Sequence, residues 1–320
     1  MRKLAGGVLA VGVAVSVSAG EMTSVADLRR PTPLKESFVY KQVDRRDLTL
    51  DVYPPGDKFP AQPQPAIVFI HGGGWGSGST DHFAAHCRYF AARGMVTVNV
   101  LYRLTQGTFP GRPGVTIFDC IADAQDAVKW VRAHSAQLGI DPQRIVAAGD
   151  SAGGHLAAAT GILPDPRTGK TDPGAVPNAL VLYNPVLDLV DLEWTHGVPG
   201  IRELPKDQQP AAAERASPLR HIRRGLPPTI ILHGTEDKCV PVEQARQLQQ
   251  QMTAAGNRCD LVVYPGVAHA FVLLDYYPDE AAVVRAIVDT DRFLESLGYV
   301  KGPPTLAQPA AAAGPAGQKP

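Results

Sequence analysis

Eight apolar runs separated by polar or helix-like intervals constrain this chain more than any other feature. They are FVYKQV (38–43), LTLDVYP (48–54), AIVFI (66–70), VTVNVLY (96–102), RIVAAG (144–149), NALVLYNP (178–185), TIILHG (229–234) and LVVYPG (261–266). Helix-like stretches lie between them, around 82–93, 117–137, 152–161, 242–255 and 279–297. Several inner runs are apolar without a break, as strands are when helices cover both faces of a parallel sheet. The expected fold is therefore α/β: a mostly parallel, doubly wound sheet of about eight strands with helices on both faces, opened by an antiparallel hairpin. Residues 190–226, rich in Pro, Arg, Glu and Gln, break the alternation and are expected to form a small cap-like insertion after the sixth strand, over the top of the sheet. Ligands of such sheets bind beyond the carboxyl ends of the strands, so the chemistry is sought there.

The segments outside this core read differently. MRKLAGGVLAVGVAVSVSAG has a basic start at Arg2 and Lys3, an apolar stretch to about Val17 and small residues at Ala19 and Gly20. This is the anatomy of an export signal over 1–20, too short and too rich in Gly and Ala to be read as a spanning anchor. The expectation is a protein exported to the periplasm or the outside of the cell, with no stable membrane insertion once the signal is gone. Residues 21–36 read as a lead-in segment, 37–300 as the domain in which function is sought, and 301–320, rich in Pro, Ala and Gly, as a disordered tail. Lys and Arg total 31, as do Asp and Glu, so net charge recommends neither nucleic acid nor an anionic surface as partner. Cys87, Cys120, Cys239 and Cys259 show no metal-ligand spacing; in an oxidising compartment they are compatible with disulfides, and buried thiols are the plainer reading. A Cys239–Cys259 bridge is disfavoured by the helix expected between them.

The chemistry follows from three loops. Gly149-Asp150-Ser151-Ala152-Gly153 stands between a strand-like run and a helix-like one, the setting in which a strained turn presents a serine hydroxyl. A serine needs a base and a group to orient it. Among nine histidines, His269 lies past the last strand-like run with small neighbours, whereas His233 reads as structural, His155 as packing, and His71 precedes the glycines. Glu236 and Asp237 both end the TIIL strand; Asp237 is preferred, although spacing alone leaves Glu236 open. HGGGW, after AIVFI, brings the backbone of Gly73 and Gly74 close to a reacting carbonyl, where with the N–H of Ala152 it would hold an oxyanion. Trp75, Tyr102 and Phe271 are candidate pocket walls, with ordinary packing as the alternative. This pattern points to ester hydrolysis through an acyl-enzyme, requiring no metal or organic cofactor. A serine exopeptidase of the same fold and a binding protein on an inactive hydrolase scaffold are the competing readings.

HGGGW, YRL (102–104), LGIDPQRI (138–145), GDSAGGHLA (149–157), YNPVLDL (183–189), HGTEDKCVP (233–241) and AHAF (268–271) together resemble the α/β-hydrolase family of esterases and lipases over about 38–297. They most resemble its hormone-sensitive-lipase-like branch and the related acetylxylan and feruloyl esterase-like members. The resemblance implies a Ser151–Asp237–His269 triad, an oxyanion hole of Gly73, Gly74 and Ala152, and a histidine at 71 that supports the loop. The lead-in is shorter than the helical cap of hormone-sensitive-lipase-like enzymes, which implies an open cleft and short-chain or bulky esters, including acyl groups on polysaccharides.

Overall fold

The computed structural model describes residues 22–31, 35–107, 114–190 and 197–307. The expected export signal and residues 308–320 of the expected tail lie outside them. In chain order the elements are α1 (Val25–Leu28), β1 (Glu36–Val43), β2 (Arg46–Tyr53), β3 (Gln64–Ile70), α2 (Ala84–Ala92), β4 (Val96–Val100), α3 (Ile117–Ala133), α4 (Ser135–Leu138), β5 (Ile140–Asp150), α5 (Ala152–Ile162), β6 (Ala179–Tyr183), α6 (Gln209–Ala216), β7 (Thr229–Gly234), α7 (Val242–Ala254), β8 (Cys259–Tyr264) and α8 (Glu280–Ser296). All eight apolar runs form strands of one sheet, ordered β1-β2-β4-β3-β5-β6-β7-β8. Pairing is antiparallel from β1 through β2 to β4 and parallel from β4 to β8. The β1–β2 hairpin turns through Asp44 and Arg45, both at positive φ (50° and 63°), the backbone a two-residue turn needs to match the twist of its strands.

The period of two in the strands divides the core. In β3, Ala66, Val68 and Ile70 pack on the face covered by α3, α5, α6 and α7, while Ile67 and Phe69 pack on the face covered by α1, α2 and α8. With both faces buried, no position of such a strand favours a polar side chain. After β3 the chain moves to β4 on one side and only later to β5 on the other. The strand order thus reverses at β3, and the crevice beyond the carboxyl ends of β3 and β5 is the natural ligand site.

The lead-in is anchored to the domain, and the start of the tail departs from the expected disorder. Ser24 caps α1 in a capping box with Asp27, Leu28 is fully buried, and Arg88 Nε donates to the Leu28 carbonyl at 2.6 Å. At the other end Arg93 holds the Gly302 carbonyl, Thr305 Oγ1 donates to the Met22 carbonyl, and Leu306 is buried, so 301–307 pack as part of the domain. Four-residue elements and single buried anchors have no periodicity to betray them in a sequence. Among the described residues no helix is long and apolar enough to cross a membrane.

Candidate active site

Ser151 occupies the single-residue junction between β5 and α5, at φ 53° and ψ −120°. A serine there carries backbone strain of about 1–3 kcal/mol. It is held by its N–H, which donates to the Tyr183 carbonyl at 2.9 Å, and by its carbonyl, which accepts from His155 N–H at 2.9 Å. The flanking glycines are steric necessities: a Cβ on Gly149 would collide with the Gly153 carbonyl, and one on Gly153 with the carbonyls of Ile70 and His71. β3 and α5 therefore meet backbone to backbone, which lays the serine beside the loop that follows β3.

The loops after β7 and β8 bring the other two groups. Glu236 N–H donates to the Val267 carbonyl at 2.9 Å, and Gly234 has no room for a side chain against that carbonyl, so the two loops lie together. His269 Nδ1 meets Asp237 Oδ2 at 2.6 Å and His269 Nε2 meets Ser151 Oγ at 2.9 Å. The carboxylate only accepts, so Nδ1 carries the proton and the Nε2 lone pair faces the serine hydroxyl. Asp237 Oδ1 accepts from the N–H groups of Cys239 and Val240, both at 2.8 Å. A second imidazole reaches the same carboxylate: His233, fully buried, places Nε2 3.2 Å from Asp237 Oδ2 and 3.0 Å from the Val240 carbonyl. Burial pushes the Asp237 carboxyl up, but hydrogen bonds from His233 and His269, with the His269 charge and Val240 N–H, outweigh it and hold the group far below the usual carboxylate range. Glu236 instead faces solvent, paired with Lys238 at 3.1 Å.

The glycine-rich loop is anchored from beneath. Gly72 N–H donates to Asp150 Oδ1 at 2.8 Å, tying the loop to the elbow. Burial pushes the Asp150 carboxyl up to about 6, against that hydrogen bond. His71 donates from Nδ1 to the Gly72 carbonyl at 2.8 Å and stacks on Tyr102 with ring centroids 4.4 Å apart; its burial pushes the imidazole down to about 4. Gly73 has φ 106°, and a Cβ there would collide with the Ser77 carbonyl. Gly73, Gly74 and Ala152 all line one cavity with Ser151 and His269. Ala152 is the first residue of α5, so its N–H has no intrahelical acceptor.

That cavity has a volume of about 920 Å³ and is open to solvent, with Val198 and Pro199 of the insertion on its wall. Trp75 lines it, while the indole N–H donates to His155 Nδ1 at 3.2 Å. His155 then donates from Nε2 to the Ala216 carbonyl at 2.7 Å, linking the glycine loop to α6. Its linking role was not legible in a histidine one turn past the serine on an otherwise apolar helix. The other two candidate pocket aromatics lie elsewhere. Tyr102 is fully buried under His71 and donates to its carbonyl at 3.0 Å; Phe271 is fully buried against Tyr264, ring centroids 4.8 Å apart. Both pack behind the loops, because apolar bulk there fixes the position of the residues that face the cavity. All four cysteines are thiols; Cys87, Cys120 and Cys259 are buried, and Cys239 is exposed on the cavity wall.

A mostly parallel sheet that delivers a serine elbow, an acid and a histidine from the carboxyl ends of β5, β7 and β8 is the architecture of the α/β-hydrolases. Within that class the chain belongs to the BD-FAE family, whose model matches residues 50–252; that of the dienelactone hydrolase family matches residues 212–297. Among solved structures, esterase 2 of Thermogutta terrifontis is 42% identical and superposes with a TM-score of 0.74, covering 85% of this chain and 98% of its own. That enzyme is known with propionate bound and with butyrate bound. Esterase LipC of Mycobacterium tuberculosis is 30% identical over 71% of this chain and 57% of its own length. Carboxylesterase NlhH of the same species is 30% identical over 65% and 66%. The chain spans little more than half the length of LipC.

Proposed function

We propose that the chain is a serine carboxylesterase acting on short-chain acyl esters. The observation that carries this reading is the continuous hydrogen-bonded line Asp237–His269–Ser151, at 2.6 and 2.9 Å, beside the backbone of Gly73, Gly74 and Ala152. His269 Nε2 takes the Ser151 proton as Oγ attacks the ester carbonyl; Asp237 keeps the Nδ1 proton in place and stabilises the imidazolium. The backbone N–H groups hold the oxyanion, the alcohol leaves with the proton from His269, and water enters by the reverse sequence to release the acid. Propionate and butyrate in the Thermogutta esterase support a small acyl pocket here. The motifs support a place near the hormone-sensitive-lipase-like branch, and the open cavity supports substrates with large alcohol portions, acylated polysaccharides among them. The basic and apolar start of the chain supports export to where such polymers lie.

The test is acid release from p-nitrophenyl acetate, butyrate and decanoate and from acetylated xylan, with Ser151→Ala as blank. The expected order is acetate and butyrate well above decanoate, with acetate released from the polymer. Hydrolysis that survives Ser151→Ala would overturn the mechanism. An untouched polymer would restrict the reading to small esters.

A further inference from the structure

Asp237, Cys239 and His269 present three different ligand atoms, an oxygen, a sulfur and an imidazole nitrogen, all within 4.8 Å of one another. Among the described residues no other trio of His, Cys, Asp or Glu is so disposed. The turn that orients Asp237 creates this: its carboxylate accepts the Cys239 N–H at 2.8 Å, which sets the Cys239 side chain on the same cavity wall as His269. Cys239 is exposed, so a dissolved ion reaches it directly. The linear spacing of the cysteines hides the group, because its members come from loops after two different strands.

The chemistry of the donors selects the ligand. Zn²⁺ takes thiolate sulfur at about 2.3 Å, imidazole nitrogen at about 2.0–2.1 Å and carboxylate oxygen at about 2.0–2.2 Å in a tetrahedral shell. Neighbouring ligand atoms in such a shell are about 3.5 Å apart, so atoms already within 4.8 Å of one another need only a small adjustment, in which the 2.6 Å contact of His269 with Asp237 opens. The carboxylate of Asp237 favours a cation beside it, and on binding the cation replaces the Cys239 thiol proton. Mg²⁺, which demands six oxygen ligands, has no comparable set here.

We propose that Asp237, Cys239 and His269 form an inhibitory site for a borderline-soft divalent cation of the Zn²⁺ type. The inference rests on the triad reading above. The cation displaces the thiol proton to solvent, forms a metal–sulfur bond, and changes no oxidation state. On Nδ1 it sends the ring proton to Nε2, which then cannot accept from Ser151. On Nε2 it occupies the lone pair that Ser151 needs. Either way the base is lost and the esterase stops, reversibly.

The experiment is calorimetric titration of ZnCl₂ into the wild type, Ser151→Ala, Cys239→Ser and Cys239→Ala, with thermal melts to establish that each is folded. In parallel, p-nitrophenyl butyrate hydrolysis is followed with ZnCl₂ or MgCl₂ and then EDTA, each rate relative to that enzyme's own uninhibited rate. The expected result is one Zn²⁺ site in the wild type and Ser151→Ala, weakened at least tenfold in both Cys239 variants, with EDTA-reversible inhibition by Zn²⁺ and none by Mg²⁺. Equal Zn²⁺ affinity in all four proteins, or no saturable binding to the wild type up to about 1 mM, would overturn the proposal. Undiminished hydrolysis by Ser151→Ala would overturn the triad reading instead, and the calorimetry separates that failure from this one.

Discussion

Asp237 gathers two imidazoles and two backbone N–H groups on one carboxyl, and that gathering makes it an orienting acid. Asp237→Asn should lower kcat on the order of 10⁴-fold, because an amide no longer fixes the His269 tautomer. Glu236→Gln should stay within about twofold, since it breaks only an exposed pair with Lys238. Steady-state kinetics of the two variants decides the assignment, and the reverse result would move the acid to Glu236. Asp150 behaves oppositely: its carboxyl ionises near 3.8 when unfolded and near 6 when folded. The folded chain therefore holds an extra proton between those values, a contribution fully present below about pH 4 and lost as the pH rises through about 6, worth ~3 kcal/mol. Urea unfolding of Asp150→Asn, which lacks this loss, should gain on the wild type by up to that amount between pH 4 and 7; a gap independent of pH would refute it. Ser151 and His269 were legible because each sits at the end of a clear strand run. Adjacent acids in an aperiodic loop are not separable that way, and Tyr102 and Phe271 show that an aromatic beside a motif serves packing as readily as binding.

At the scale of elements, the glycine-rich loop divides its work between two neighbours. Gly73, at φ 106° and hard against the Ser77 carbonyl, has neither the backbone freedom nor the room for a side chain, whereas Gly74, at φ 61°, faces open space. Gly73→Ala must distort the loop, and loss of one oxyanion donor costs about 10²–10³ in kcat. Gly74→Ala should lose about 1–2 kcal/mol of stability from its left-handed backbone and less than tenfold in kcat. Comparing kcat of both with their thermal melts tests this, and equal losses would show that the loop acts as a single rigid piece. The strands were legible as unbroken apolar runs, and α3, α5, α7 and α8 as the stretches between them. The anchoring of α1 and of 301–307 was not, because it consists of Leu28, Thr305 and Leu306 meeting partners that are remote in sequence.

For the molecule as a whole, 31 basic and 31 acidic side chains leave no net charge whose repulsion would drive unfolding near neutrality, so the response to acid is set by buried groups. Burial pushes His71 and His155 down to about 4 and His86 down to about 3, so all three fold neutral. An unfolded histidine titrates near 6.5; these groups contribute stability that is present above that value and lost as the pH falls toward their folded values. Each removes about 1.4 kcal/mol per pH unit below about 6. Asp150 works against them over the same interval, leaving a net difference of about two protons between pH 6 and 4. Carboxyls held low, Asp237 among them, begin to matter only near 3.8 and below, so they leave this window to the buried histidines and Asp150. Stability should therefore fall by about 3 kcal/mol from pH 6 to pH 5, measured by urea unfolding, with little change from pH 8 to 7. His155→Gln keeps a side-chain amide near Trp75 and Ala216 but cannot titrate; even if it starts less stable, its slope between pH 6 and 5 should be about half that of the wild type. A wild-type curve flat across that window would overturn the reading, because it would mean that these imidazoles are charged in the folded chain.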